Sequence, residues 1–163
     1  MKENKYDDPV FFEQYSKMAR SEKGLNEAGE WYMLKNMLPE LKGKDMLDLG
    51  CGYGWHCRYA IEQSAHSVIG IDISEKMLDK ARKINNLPGI EYIRKPVEEV
   101  ECVDNKFDIV LSSLTFHYVD SFDTTCENIF RWLKPGGSFI FSVEHPVFTA
   151  AGKQEWIYDP DGN

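Results

Sequence analysis

Apolar residues along this chain follow two rhythms in turn. Short stretches rich in apolar residues occur at 45–49, at Ser67–Asp72, at Ile90–Arg94, at Phe107–Ser112 and at Ser138–Glu144. Such runs are the pattern of strands buried on both faces. Between them the apolar positions recur at three and four residues, the helical period. Residues 54–63 and 121–133 fit this spacing, as do Met77, Leu78, Ala81 and Ile84 behind Ser74. Ser74 and Ser121 are the expected N-caps. Strands alternating with helices predict βαβ units, hence one parallel α/β sheet with right-handed crossovers.

Before the first strand the pattern is helical only. Asp8 and Pro9 open a predicted helix over 8–20, with Pro9 where a missing N–H costs nothing. Phe11, Phe12, Tyr15, Met18 and Ala19 share one side, which predicts an aromatic stripe packed in the core. The alternative is a lid that closes over a ligand, with Tyr15 and Arg20 as its polar contacts. A loop over 21–26 leads to a second helix over 27–38, ended by Pro39, and Lys42-Gly43-Lys44 turns into the first strand. Ser64-Ala65-His66 lacks the glycine that often ends a helix in the left-handed conformation. Lys95 to Lys106 is an acidic loop with a helical turn at Val97–Val100, and Lys134-Pro135-Gly136-Gly137 ends the last helix. No repeat or linker divides the 163 residues, so one domain is expected: a helical cap over 1–44, a core over 45–145 and a tail over 146–163.

The chemistry concentrates in Asp48-Leu49-Gly50-Cys51-Gly52-Tyr53-Gly54. Three glycines at alternate positions free the backbone where it leaves the first strand, so a ligand can approach the main chain closely. The N–H groups opening the next helix then face an anionic group. Ligands of open α/β sheets bind beyond the carboxyl ends of the strands, near the switch in strand order. The second strand ends in Asp72, whose carboxylate can accept from two vicinal ribose hydroxyls. Its alternative role is to cap the helix behind Ser74. A nucleoside with a charged appendage fits this arrangement. The dinucleotide fingerprint is G-x-G-x-x-G, and Trp55 stands where its third glycine would be, which disfavours NAD.

Charge narrows the partners. The formal net charge is −8, and residues 1–44 are balanced at eight basic and eight acidic side chains. No basic stripe exists to neutralise a phosphate backbone, so no nucleic-acid partner is expected. Cys51, Cys57, Cys102 and Cys126 form no C-x-x-C pair and no zinc spacing, so they are expected as reduced thiols with no metal. There is no membrane-spanning apolar run, and Met1-Lys2-Glu3-Asn4-Lys5 lacks the apolar region of a signal peptide. A cytoplasmic protein is expected.

Four motifs together resemble the class I S-adenosylmethionine (SAM) dependent methyltransferases of the small-molecule type. They are Asp48 to Gly54, Gly70-Ile71-Asp72-Ile73-Ser74, Phe107-Asp108-Ile109-Val110 and Leu133-Lys134-Pro135-Gly136-Gly137, and the resemblance covers about residues 30–145. It implies a Rossmann-like doubly wound sheet in the order 3-2-1-4-5 with N-terminal helices. It also implies that the loop (Asp48, Gly50, Cys51, Gly52, Gly54) holds the methionine part of SAM, with Asp72 on the ribose. Ile73 and Met77 would flank the adenine, Val97 and Glu98 would lie near its edge, and Ser112 would line the methyl-donor crevice. Tyr15 joins the set if the first helix is a lid. The product would be S-adenosylhomocysteine (SAH).

Two departures from the family pattern follow. Pro96 stands where many relatives carry an acidic residue, which shifts adenine recognition onto Val97 and Glu98. The family sheet usually ends in a hairpin of strands six and seven, and this chain supplies no such pair and reads as truncated. Strand five would then be an apolar edge that invites a homodimer. Methyl transfer from a sulfonium needs alignment and exclusion of water, and a base only when the acceptor loses a proton. His117, Glu144 and His145, at or beyond strand ends, are the candidates. The acceptor is expected to be a small molecule. The alternatives are a SAM-binding module without activity and an NAD-dependent oxidoreductase.

Overall fold

The computed structural model describes residues 4–145 and Val147. The expectations for the tail over 146–163 lie outside these, Val147 apart. Five strands follow the apolar runs: β1 Asp45–Leu49, β2 Ser67–Asp72, β3 Ile90–Arg94, β4 Phe107–Ser113 and β5 Leu133–Ser142. All neighbours pair in parallel, in the expected order β3-β2-β1-β4-β5. Strand order reverses between β1 and β4, so a crevice opens there beyond the carboxyl ends.

Both faces of the central strands β1, β2 and β4 are buried, which explains why these strands are mostly apolar without alternation. One core cluster joins Met46, Val68, Ile109 and Leu111 to Trp31, Leu34, Cys57, Ala60 and Leu78. Leu47, Leu49, Ile71, Phe107 and Val110 point the other way, onto Ile129 and Trp132. The helices are α1 Pro9–Ser16, α2 Ala19–Lys23, α3 Trp31–Met37, α4 Trp55–Glu62, α5 Glu75–Ile84 and α6 Phe122–Trp132. Among the described residues no helix is long and apolar enough to cross a membrane. Ser74 and Ser121 cap α5 and α6 as expected, accepting from the N–H groups of Met77 and Thr124. Ser64 itself takes the left-handed conformation (φ 67°) at the end of α4, in place of the missing glycine.

Three expectations need correction. The helix predicted over 8–20 breaks after Ser16 and restarts at Ala19, and none of the residues in α1 is buried. Its aromatic stripe is therefore not core. The second helix begins at Trp31 rather than at 27, because Gly24–Glu27 tightens into a 3-10 turn instead. Lys134-Pro135-Gly136-Gly137 is not a bare turn before β5 but belongs to it, through an irregularity where Phe107 pairs Leu133 and Ile109 pairs Ser138. Gly137 is required there, since a Cβ would sit 3.0 Å from the Asp108 carbonyl oxygen. Lys134 Nζ then reaches Asp45 (2.9 Å) and Asp108 (2.8 Å), tying β5 to the starts of β1 and β4.

Candidate functional site

The crevice is a cavity of about 780 Å³, within the usual range for small-molecule sites. Its floor is the turn after β1. Gly50, Gly52 and Gly54 have φ of 77°, 52° and 72°, a region costly for any residue with a Cβ. The Gly50 and Cys51 N–H groups both donate to the Ile71 carbonyl at 2.8 Å, and the Gly54 N–H donates to Cys51, also at 2.8 Å. The loop is thus folded back against β2. A Cβ on Gly50 would strike Thr115, and one on Gly54 would strike the Tyr92 hydroxyl, whereas the side of Gly52 is open. Gly50 and Gly54 are glycines for the protein's own packing. Gly52 leaves space on the cavity.

Asp72 stands at the end of β2 and fills both roles weighed for it. Its Oδ1 accepts from the Ser74 N–H (2.9 Å), so it does help start α5. Its Oδ2 accepts from the Gly52 N–H (2.8 Å), and the side chain lines the cavity. The Ile73 N–H also bonds the carboxylate, and of its roughly four acceptor positions these donors leave one for a ligand. Burial pushes its pKa up to about 6, against the pull of these N–H donors.

Of the other expected site residues, Tyr15, Gly50, Cys51, Ile73, Met77, Val97 and Glu98 line the cavity, as do His117, Glu144 and His145. Asp48, Gly54 and Ser112 are not among the residues that line it. Asp48 is buried behind the loop, accepting from the Cys57 thiol at 3.3 Å, and burial pushes its carboxyl up to about 7. Ser112 is sealed in the sheet, its hydroxyl donating to the Leu49 carbonyl (2.8 Å), and it is Ser113 that faces the cavity. The strand's twist and pairing end decide which of two adjacent serines is exposed, and sequence alone carries no such signal.

The N-terminal segment roofs the cavity. Phe11 and Tyr15 of α1 line it, so this side of the helix faces the cavity rather than the core. Tyr6 packs edge-on against both Phe11 (5.2 Å between centroids) and Tyr15 (5.3 Å), and Tyr15 packs against Tyr53 of the glycine loop (5.9 Å). Asp7 fastens this roof to α5, accepting from the Ser74 hydroxyl (2.6 Å) and the Lys76 N–H (3.1 Å). Sequence reading missed Asp7, since nothing local marks a cap for a helix 67 residues away.

Behind the roof, Arg20 pairs with Glu30 (2.6 Å), and Ser113 donates to the same carboxylate (3.3 Å). Trp55, at the third-glycine position of the dinucleotide fingerprint, packs against the N-terminal segment. Gly24 lies flat on its indole, where a Cβ would be 3.0 Å from the ring. Close approach of α4 to β2 is provided by Gly70, whose missing Cβ leaves room for the Cys51 and Cys57 sulfurs. At the far rim His117 accepts at Nδ1 from the Glu144 N–H (3.5 Å), with its Nε2 4.0 Å from the Glu144 carboxylate. Burial lowers the His117 pKa from its ordinary value, although Glu144 opposes this. Among the described residues no cluster of His, Cys, Asp or Glu could hold a metal ion.

Comparison with known proteins places this geometry. Residues 47–141 match the family model described as a methyltransferase domain. A Listeria monocytogenes protein, solved as a candidate SAM-dependent methyltransferase, is 51% identical with a TM-score of 0.74 over 83% of this chain and 64% of that one. A SAM-dependent methyltransferase from Mesorhizobium loti is 42% identical with a TM-score of 0.75 over 86% of this chain and 64% of that one. An uncharacterized Haemophilus influenzae protein is 41% identical over 88% of this chain and 59% of its own length. The chain thus spans 59–64% of the length of these relatives. The matched region contains the glycine loop, Asp72 and all of the sheet but the first two residues of β1 and the last of β5, and the chain belongs to the methyltransferase domain family.

Proposed function

We infer that the cavity binds SAM and that the chain transfers its methyl group to a small-molecule acceptor. One observation carries this reading: the buried Asp72 carboxylate, with an acceptor position to spare, adjoins the open side of Gly52 at the switch point. A nucleoside with an amino-acid appendage fits that pair, ribose on the carboxylate and appendage over the loop. Ile73, Met77 and Val97 supply apolar surface where a base would lie. SAM-dependent methyltransferases of this fold among the neighbours support the choice of cofactor.

When bound, SAM supplies a methyl group already activated on a sulfonium. The residues of this chain have to align the acceptor and keep water out, and the aromatic roof of Tyr6, Phe11 and Tyr15 is suited to the latter. For an acceptor that loses a proton, the His117–Glu144 pair is the proton acceptor. Relatives named as a fatty-acid O-methyltransferase and a phthiotriol dimycocerosates methyltransferase support an acceptor that is not a macromolecule. The net charge of −8 argues the same way. Four unpaired cysteines support a reducing, cytoplasmic setting. The edge position of β5, with Phe141 and Val143 exposed, supports pairing with a second copy. Incubation with methyl-labelled SAM and an acceptor panel tests the activity, and label retained wholly on SAM across the panel argues for a binding module instead.

A further inference from the structure

Two polar residues that do not line the cavity are nevertheless tied to its glycine loop. Asn85 is 1% exposed, and burying a carboxamide is costly unless it is hydrogen-bonded. It stands where α5 ends, its N–H donating to the Ala81 carbonyl at 2.8 Å. Its side chain reaches the loop, where Nδ2 donates to the Tyr53 carbonyl at 2.7 Å. Its own carbonyl accepts from the Tyr92 hydroxyl at 2.9 Å.

Tyr92 comes from the edge strand β3. Its direct neighbour on β2 is Gly70, where a Cβ would be 2.9 Å from the Tyr92 ring, so the ring can lie across β2 toward the loop. The phenol oxygen ends against Gly54, in the space a Cβ there would take. The first half of the loop is held by other bonds, from Gly50 and Cys51 to the Ile71 carbonyl and from Gly52 to Asp72. The Tyr53–Gly54 peptide is held at both ends, its N–H on the Cys51 carbonyl and its C=O by Asn85. A peptide plane bonded on both sides cannot turn.

We propose that Asn85 and Tyr92 are positioning residues for the amino-acid end of SAM: they lock the Tyr53–Gly54 peptide, and with it the loop over which that end lies. The proposal rests on the SAM reading above and deepens it. A loop with three glycines is free to adopt many conformations, and a ligand that has to order it loses affinity. The brace orders it beforehand. Without the Asn85 donor the Tyr53 carbonyl is left to find another partner, and the peptide turns with it. The nucleoside end is held separately, by Asp72 at the end of β2, where the Ser74 N–H fixes the carboxylate.

The test titrates SAH and 5′-methylthioadenosine, which keeps the nucleoside and lacks the amino-acid end, into the unsubstituted chain, Asn85→Ala and Tyr92→Phe. Melting temperatures of both variants are expected to fall, so stability does not decide the matter. The selective loss does. Asn85→Ala is expected to weaken SAH by about tenfold while changing 5′-methylthioadenosine by less than about twofold. Tyr92→Phe keeps the ring and removes only the hydroxyl, so it is expected to fold and to show the same selectivity with a smaller loss. It decides by the same comparison should Asn85→Ala not fold. Equal losses for the two ligands, or no loss of SAH in a folded variant, overturn the proposal. Equal affinity of the unsubstituted chain for the two ligands does so too, since the loop then holds no amino-acid end. Failure of either ligand to bind the unsubstituted chain overturns the nucleoside reading of the cavity and this proposal with it.

Discussion

Asp72 at the end of β2 receives the N–H of Gly52 at 2.8 Å, and this bond couples the nucleoside side of the cavity to its glycine loop. The carboxylate shapes the loop and faces the ligand at once. Asp72→Ala therefore removes a loop anchor as well as a ligand contact, and Asp72→Asn is the cleaner probe. It is expected to weaken SAH by about 1.5–3 kcal/mol, the scale of hydrogen bonds to a charged group. Calorimetry measures this, with circular dichroism to confirm the fold. Unchanged affinity places Asp72 in the scaffold alone.

The three loop glycines are expected to separate by function. Gly54→Ala drives a Cβ into the Tyr92 hydroxyl, which donates to the Asn85 carbonyl (2.9 Å), and should cost about 1–3 kcal/mol of stability. Gly52→Ala meets no neighbour, so its stability cost should be only the left-handed conformation, about 1–2 kcal/mol. Its larger effect should fall on SAH binding. Urea melts and titrations of the two variants give opposite rankings if the open side of Gly52 is where the ligand lies.

Asp48 gives a pH signature. Its carboxyl titrates at about 7 in the fold, above the ordinary carboxylate value, because burial disfavours the charge. The folded state then holds a proton that the unfolded state has released. The stability this contributes is present below about pH 4 and is lost as pH rises to 7. Asp48→Asn does not titrate, so its stability relative to the unsubstituted chain should improve by about 1–2.5 kcal/mol between pH 5 and pH 8. Equal differences at the two pH values would mean the carboxyl is ionised throughout.

His117 should set the acid limb of any activity whose acceptor loses a proton. Its pKa lies below the ordinary histidine value through burial, so the rate should rise as pH passes through a point below about 6.5 and then level off. His117→Gln should flatten that limb and lower kcat roughly a hundredfold. A profile identical to that of the unsubstituted chain removes His117 from the chemistry.

The β5 edge is expected to hold two copies together, and light scattering across the micromolar range reads this directly. Phe141→Lys should then yield the monomer. A monomer throughout, before any substitution, contradicts the expectation.

What sequence reading could see was set by how local each signal is. Strand runs such as Phe107–Ser112 carry their burial in composition, and the caps Ser74 and Ser121 lie next to the helices they start. Asp72 was legible because a carboxylate directly after a buried strand is a local pattern. Long-range relations were not. Asp7 closing on Ser74 and Gly24 lying on Trp55 join residues remote in sequence. The stripe of Phe11 and Tyr15 has the period of a core face, and period alone cannot tell a core from a cavity roof. Ser112 and Ser113 differ only in which side of the strand end they meet. Asp48 sits in the loop motif, yet strand alternation turns it inward onto Cys57.

The central claim is tested most directly by calorimetric titration of the 163-residue chain with SAM and SAH, with NADH as control. Micromolar binding of both sulfur nucleosides, and none of NADH, is predicted. Tight NADH binding, or failure of both sulfur nucleosides to bind the folded chain, would contradict the assignment of the cavity.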